Sequence, residues 1–92
     1  MIPMHATISI SGDLVSCDLN AEAVVLNLRS GRYYGLDPVG ARIWNLIQTP
    51  RTVQEIRDIL LQDYEVEPDR CEGDLVALLE KLANEGLVDV RQ

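Results

Sequence analysis

Gly31-Arg32-Tyr33-Tyr34-Gly35-Leu36-Asp37-Pro38-Val39-Gly40-Ala41-Arg42-Ile43-Trp44 decides the fold, because within it a hairpin strand hands over directly to a helix. Ser30-Gly31 is a two-residue turn signal, and residues 33–36 read as a strand. Asp37-Pro38 joins a helix N-cap to a proline at the first helical position, where the missing N–H has no partner to lose. Tyr33, Tyr34 and Trp44, three of the four aromatic residues in the chain, gather at this joint. No catalytic group stands in it, so it reads as a surface that holds a ligand rather than one that transforms it.

Upstream of the joint the patterning has a period of two. Thr7–Ile10 alternates, Ser11-Gly12-Asp13 turns, Leu14–Leu19 alternates again, and after Asn20-Ala21-Glu22 a third strand covers 23–28. Downstream the period becomes 3.6. Val39, Ile43, Leu46 and Ile47 form one stripe of a first helix ending near Gln48, and Thr49-Pro50 stops it. Thr52-Val53-Gln54-Glu55 is a capping box that opens a second helix with the stripe Val53, Ile56, Leu60 and Tyr64. Beyond Pro68 a third helix of about four turns places Cys71, Leu75, Leu78, Leu79 and Leu82 within about a third of the wheel. Gly86 reads as the glycine just past its end, and residues 87–90 as a short closing strand. The outline is α+β: an N-terminal antiparallel sheet of three to four strands followed by three helices, a winged helix-turn-helix.

The 92 residues suit one domain, expected to bury about 60% of its unfolded surface. Its apolar runs fall far short of the roughly 20 residues of a membrane span, and the N-terminus lacks a signal-peptide pattern, so the expected location is the cytoplasm. Cys17 and Cys71 are far apart in apolar-patterned segments and read as buried free thiols. Neither a metal nor a cofactor motif is present. His5 has no nucleophile near it in sequence, and Asp63, Glu65 and Glu67 lie in a polar connection without apolar walls to shift their pKa values, so an enzyme is not expected. Nucleic acid is also an unsuitable partner. The net charge is −7, and the third helix carries Asp69, Glu72, Asp74, Glu80 and Glu85 against Arg70 and Lys81, where phosphates would have to lie.

A binding surface does emerge. If the strand ending at Leu36 pairs only with residues 23–28, its other edge is free, and an extended peptide could join it as one more strand. Gly35 would let that backbone come close. Helix three could supply pockets: Leu78 sits at the rim of the apolar stripe beside Asp74, Lys81 and Glu85, whereas Leu75, Leu79 and Leu82 read as core. Tyr33 is expected to face outward, Tyr34, Leu36, Val39 and Ile43 to hold the edge from within, and Trp44 to be partly exposed.

The run 31–37, the run 40–44, Thr52-Val53-Gln54-Glu55-Ile56 and residues 74–82 with Glu85-Gly86-Leu87 together resemble PqqD-like RiPP recognition elements over about residues 14–90. Such domains bind the leader segment of a ribosomally made precursor peptide and do no chemistry themselves. The resemblance implies a leader-binding site of Arg32, Tyr33, Tyr34, Gly35 and Leu36 on the strand with Cys71, Asp74, Leu75, Leu78 and Lys81 on the third helix. The Tyr33-Tyr34 doublet and the 40–44 run are most similar to the stand-alone leader-binding proteins of lasso peptide pathways. That branch implies three partners: the precursor leader peptide, a leader peptidase and an ATP-dependent cyclase. A peptide chaperone of the quinone-cofactor pathway is the alternative, and a winged-helix transcriptional regulator or a structural subunit lies further off. The chain departs from the pattern in Asp37, where asparagine is common, and in Gly73 inside helix three, which should cost about 1 kcal/mol relative to alanine.

Overall fold

The computed structural model describes residues 2–92. In chain order its elements are β1 (Thr7–Ile10), β2 (Leu14–Leu19), β3 (Glu22–Asn27), β4 (Arg32–Leu36), α1 (Pro38–Leu46), β5 (Arg51–Thr52), α2 (Val53–Asp63), α3 (Pro68–Asn84) and β6 (Val88–Arg91). They form two antiparallel three-stranded sheets, ordered β2-β3-β4 and β5-β1-β6, with the helices packed between and beside them.

The first sheet is a wing built from consecutive strands. Its register sets Val15 opposite Leu26 and Leu26 opposite Tyr33, and sets Cys17 opposite Val24 and Val24 opposite Gly35. Asn20, at a φ of 58°, makes the tight β2–β3 turn. The β3–β4 connection is longer than the two-residue turn read from Ser30-Gly31. The Asn27 side-chain oxygen accepts from the N–H groups of Arg29 (2.9 Å) and Ser30 (3.3 Å) and turns the chain early, so four residues, 28–31, intervene. Gly31 closes that loop at a φ of 73° and donates its N–H to the Asn27 carbonyl at 2.8 Å.

The second sheet closes the molecule. β1 lies at its centre, pairing Ile8 with Arg51 on one side and with Val90 on the other, so β1 does not extend the wing and the N-terminal sheet has three strands. β5 is absent from the sequence reading. Two residues are too few to show a period, and they are strand only because β1 lies alongside.

The helix starts match their signals. Asp37 accepts from the Gly40 N–H at 2.8 Å with Pro38 at the first turn, and Thr52 and Glu55 form the reciprocal capping box at 3.1 and 2.9 Å. Gly40 is needed at the joint: a Cβ there would stand 3.2 Å from Asp37 Oδ1 and 3.4 Å from Leu36 Cβ. Past α3, Gly86 takes a φ of 75°, as a glycine beyond a helix end should.

Burial corrects three expectations. Trp44 is 2% exposed rather than partly exposed, because α1 is covered on a wide arc that also takes in Ala41, Ile43 and Leu46. Val39, in the first turn, overhangs a hollow and is exposed. Cys17 is exposed instead of buried, since it shares with Val15 and Leu19 the outward face of the wing, and alternation alone cannot say which face is covered.

Candidate functional site

β4 pairs with β3 along one edge, and its other edge is left open among the described residues. Facing this edge is the C-terminal half of α3. Between them lies a hollow of about 370 Å³ lined by Tyr33, Tyr34, Gly35 and Leu36 from the strand and by Leu78, Lys81, Leu82 and Glu85 from the helix. Asp37 and Gly40 form its floor at the start of α1. A Cβ on Gly35 would meet nothing within 4 Å, so the strand offers its backbone without a side chain in the way. Tyr33 is 72% exposed and Tyr34 half-buried, the outward and inward pair the alternation requires.

A polar cluster fixes one end of the hollow. The Tyr34 hydroxyl donates to Glu85 Oε2 at 2.7 Å, Arg32 Nη1 stands 3.6 Å from the same oxygen, and the Arg32 guanidinium lies 5.8 Å from the Tyr34 ring centre. The hydrogen bond to Glu85, followed by burial and the Glu85 charge, pushes the Tyr34 hydroxyl above its usual range, against the opposing pull of Arg32. Tyr34 therefore stays a neutral donor through the physiological range and ties the strand to the last turn of the helix.

Further along α3, toward its N-terminus, a second hollow of about 330 Å³ opens among Val39, Leu60, Tyr64, Val66 and Cys71, with Glu65, Arg70 and Asp74 around it. Asp74 and Leu78 are one turn apart on the helix, so the two hollows follow each other along one face. Burial raises the Cys71 thiol, with Asp74 and Glu72 adding to the effect and Arg57 opposing it. It serves as a neutral apolar wall.

Of the residues singled out from the sequence, Tyr33, Tyr34, Gly35, Leu36, Leu78 and Lys81 meet in the first hollow, and Cys71 and Asp74 in the second. Arg32 stands beside them through Glu85. Leu75 does not join either set: at 2% exposure it is core beneath the helix face. Glu85 was legible as a groove residue, seven positions after Leu78 and four after Lys81 on one stripe. Val39, Tyr64 and Val66 were not, because their meeting depends on how the α2–α3 connection folds over the start of α1. No set of three or more His, Cys, Asp or Glu side chains among the described residues is placed to hold a metal ion. Among the described residues no helix is long and apolar enough to cross a membrane.

An open strand edge set against the third helix of a winged helix-turn-helix is a geometry that an added strand could join. The family model for coenzyme PQQ synthesis protein D (PqqD) matches residues 22–88, and the chain belongs to that family. Among solved structures, TbiB1 in complex with the TbiA(beta) leader peptide shares 40% identity, with a TM-score of 0.84 over 88% of this chain and 94% of that one. A lasso peptide synthetase B1 complexed with the leader peptide has the same fold at 24% identity, with a TM-score of 0.80 over 89% and 96% of the two chains. No curated protein matches the chain. The resemblance and the fold class read from the sequence agree with these findings.

Proposed function

We propose that this domain binds the leader segment of a ribosomally synthesised precursor peptide of the lasso class and presents it to a leader peptidase and an ATP-dependent cyclase. The observation that carries this reading is the open β4 edge facing two successive hollows on α3. An added strand would satisfy its backbone on Arg32–Leu36 and set alternate side chains toward Leu78, Lys81 and the Cys71–Asp74 hollow. The leader-bound state of TbiB1 at 40% identity supports the peptide partner, and the Tyr33-Tyr34 doublet favours the lasso branch over the quinone pathway. The domain acts by recognition, without cofactor and without catalysis of its own, in the cytoplasm where precursors are made. The acidic third helix speaks against nucleic acid.

Contact with the peptidase has its own support. The wing's outward face carries Val15 (52% exposed), Leu19 (54%) and Tyr33 in the open, where an antiparallel sheet usually shows polar side chains. That face runs up to the β4 edge, so a peptidase seated on it would meet the leader strand alongside.

Titration of a labelled leader peptide by fluorescence anisotropy tests the site. Leu78→Asp should leave the fold intact, since Leu78 is half-buried at a rim, and weaken binding by at least about 2 kcal/mol. A folded variant with wild-type affinity removes Leu78 from the site.

A further inference from the structure

Lys81, the single lysine of the chain, lines the hollow between β4 and α3 and is exposed. Arg29, Arg32, Arg42, Arg57 and Arg70 are each ion-paired with a carboxylate, whereas Lys81 has no ion-pair partner among the described residues. The reason lies one turn further along the chain. Glu85 stands four positions after Lys81, a spacing at which helix ion pairs form, but its Oε2 accepts from the Tyr34 hydroxyl at 2.7 Å and lies 3.6 Å from Arg32 Nη1. The other carboxylate of the hollow, Asp37, caps α1 by accepting from the Gly40 N–H at 2.8 Å. Arg32 thus offsets Glu85, the positive end of α1 offsets Asp37, and Lys81 is the surplus charge. In a chain of net charge −7 this is a local reversal. At the neighbouring hollow the balance is opposite, with Glu65 and Asp74 against Arg70. The groove along α3 therefore has a cationic end at Tyr34 and an acidic end at Cys71.

We propose that Lys81 selects an acidic side chain of the bound leader at the Tyr34 end of the groove and thereby sets the leader's register on β4. The inference rests on the leader-binding reading above and names a feature of the peptide that this reading leaves open. An added strand turns every second side chain to the face on which Tyr34 reaches α3, so a slip of one residue would turn its whole pattern outward. A slip of two residues keeps the faces, and there charge decides. A carboxylate on the inward row is attracted at Lys81 and repelled beside Glu65 and Asp74. Leu78, half-buried and one turn before Lys81, gives that ion pair an apolar neighbour that shields it from water.

The test is fluorescence anisotropy with the full chain and its labelled cognate leader peptide. Lys81→Met keeps the aliphatic stem without the charge and should weaken binding about threefold to tenfold, Lys81→Glu should weaken it at least about tenfold, and Lys81→Arg should stay within about twofold of wild type. On the peptide side, each Asp or Glu of the leader is replaced in turn by Lys. One such replacement should weaken binding to the wild type and restore binding to Lys81→Glu, a coupling that a lysine with a merely structural role would not show. Wild-type affinity in Lys81→Met, equal losses in Lys81→Arg and Lys81→Met, or the absence of any leader carboxylate coupled to position 81 each overturns the proposal. Failure of the wild type to bind leader would instead overturn the functional reading itself.

Discussion

The two sheets have the same strand count and opposite duties. The wing, β2-β3-β4, is made from neighbours in sequence, leaves one edge open and shows apolar side chains on its outer face. The closing sheet, β5-β1-β6, is made from the start, middle and end of the chain, and its central residue Ile8 is fully buried. Stability is thus concentrated where segments distant in sequence meet, and the proposed recognition lies where the chain folds locally and keeps a free edge.

Substitutions should break along that line. Ile8→Ala, in the centre of the closing sheet, should cost about 2–5 kcal/mol in chemical denaturation, whereas Val15→Thr on the wing's exposed face should stay within about 0.5 kcal/mol. Equal costs would erase the distinction. Hydrogen exchange sharpens it on the ligand side: added leader peptide should protect amides across Arg32–Leu36 and leave Thr7–Ile10 and Val88–Arg91 unchanged. Protection confined to the helices would rule out strand addition.

Smaller effects are expected at the start of α2, which follows directly on β5 of the closing sheet. Thr52→Ala removes the hydroxyl that caps Glu55 N–H and should cost about 1 kcal/mol in thermal or chemical unfolding, without altering leader affinity. The Glu55 carboxylate is held below its usual 4.5 by hydrogen bonds from the Thr52 backbone and side chain. A lowered folded-state pKa gives stability that is present above pH 4.5 and lost as pH falls through the folded value. In Glu55→Gln that part of the acid-side slope should flatten, as measured by unfolding midpoints across the acid range.

Legibility in the sequence follows the same division. The wing, the Asp37-Pro38 joint, the Thr52–Glu55 box and the α3 stripe all rest on residues within one or two turns of each other, and each stands where the patterning puts it except the β3–β4 loop, which Asn27 starts early. The pairing of β1 with β5 and β6 depends on contacts across nearly the whole chain, and no local period encodes it. Within the site, the strand and Leu78 were readable because alternation and the helix wheel fix their faces. The second hollow was not, since Val39, Tyr64 and Cys71 come from three elements that meet only in the folded chain. Cys17 and Trp44 were misjudged for a shared reason: patterning reports which residues lie together on a face, whereas burial depends on what covers that face.

The unpaired side of β4 also bears on how the protein behaves as a colloid. A strand edge able to accept a leader would also accept another strand of suitable sequence, including the same strand from another molecule. A net charge of −7 keeps copies apart at neutral pH. As acid removes that charge, self-association should begin at this edge, and a bound leader, by occupying it, should keep the domain dispersed.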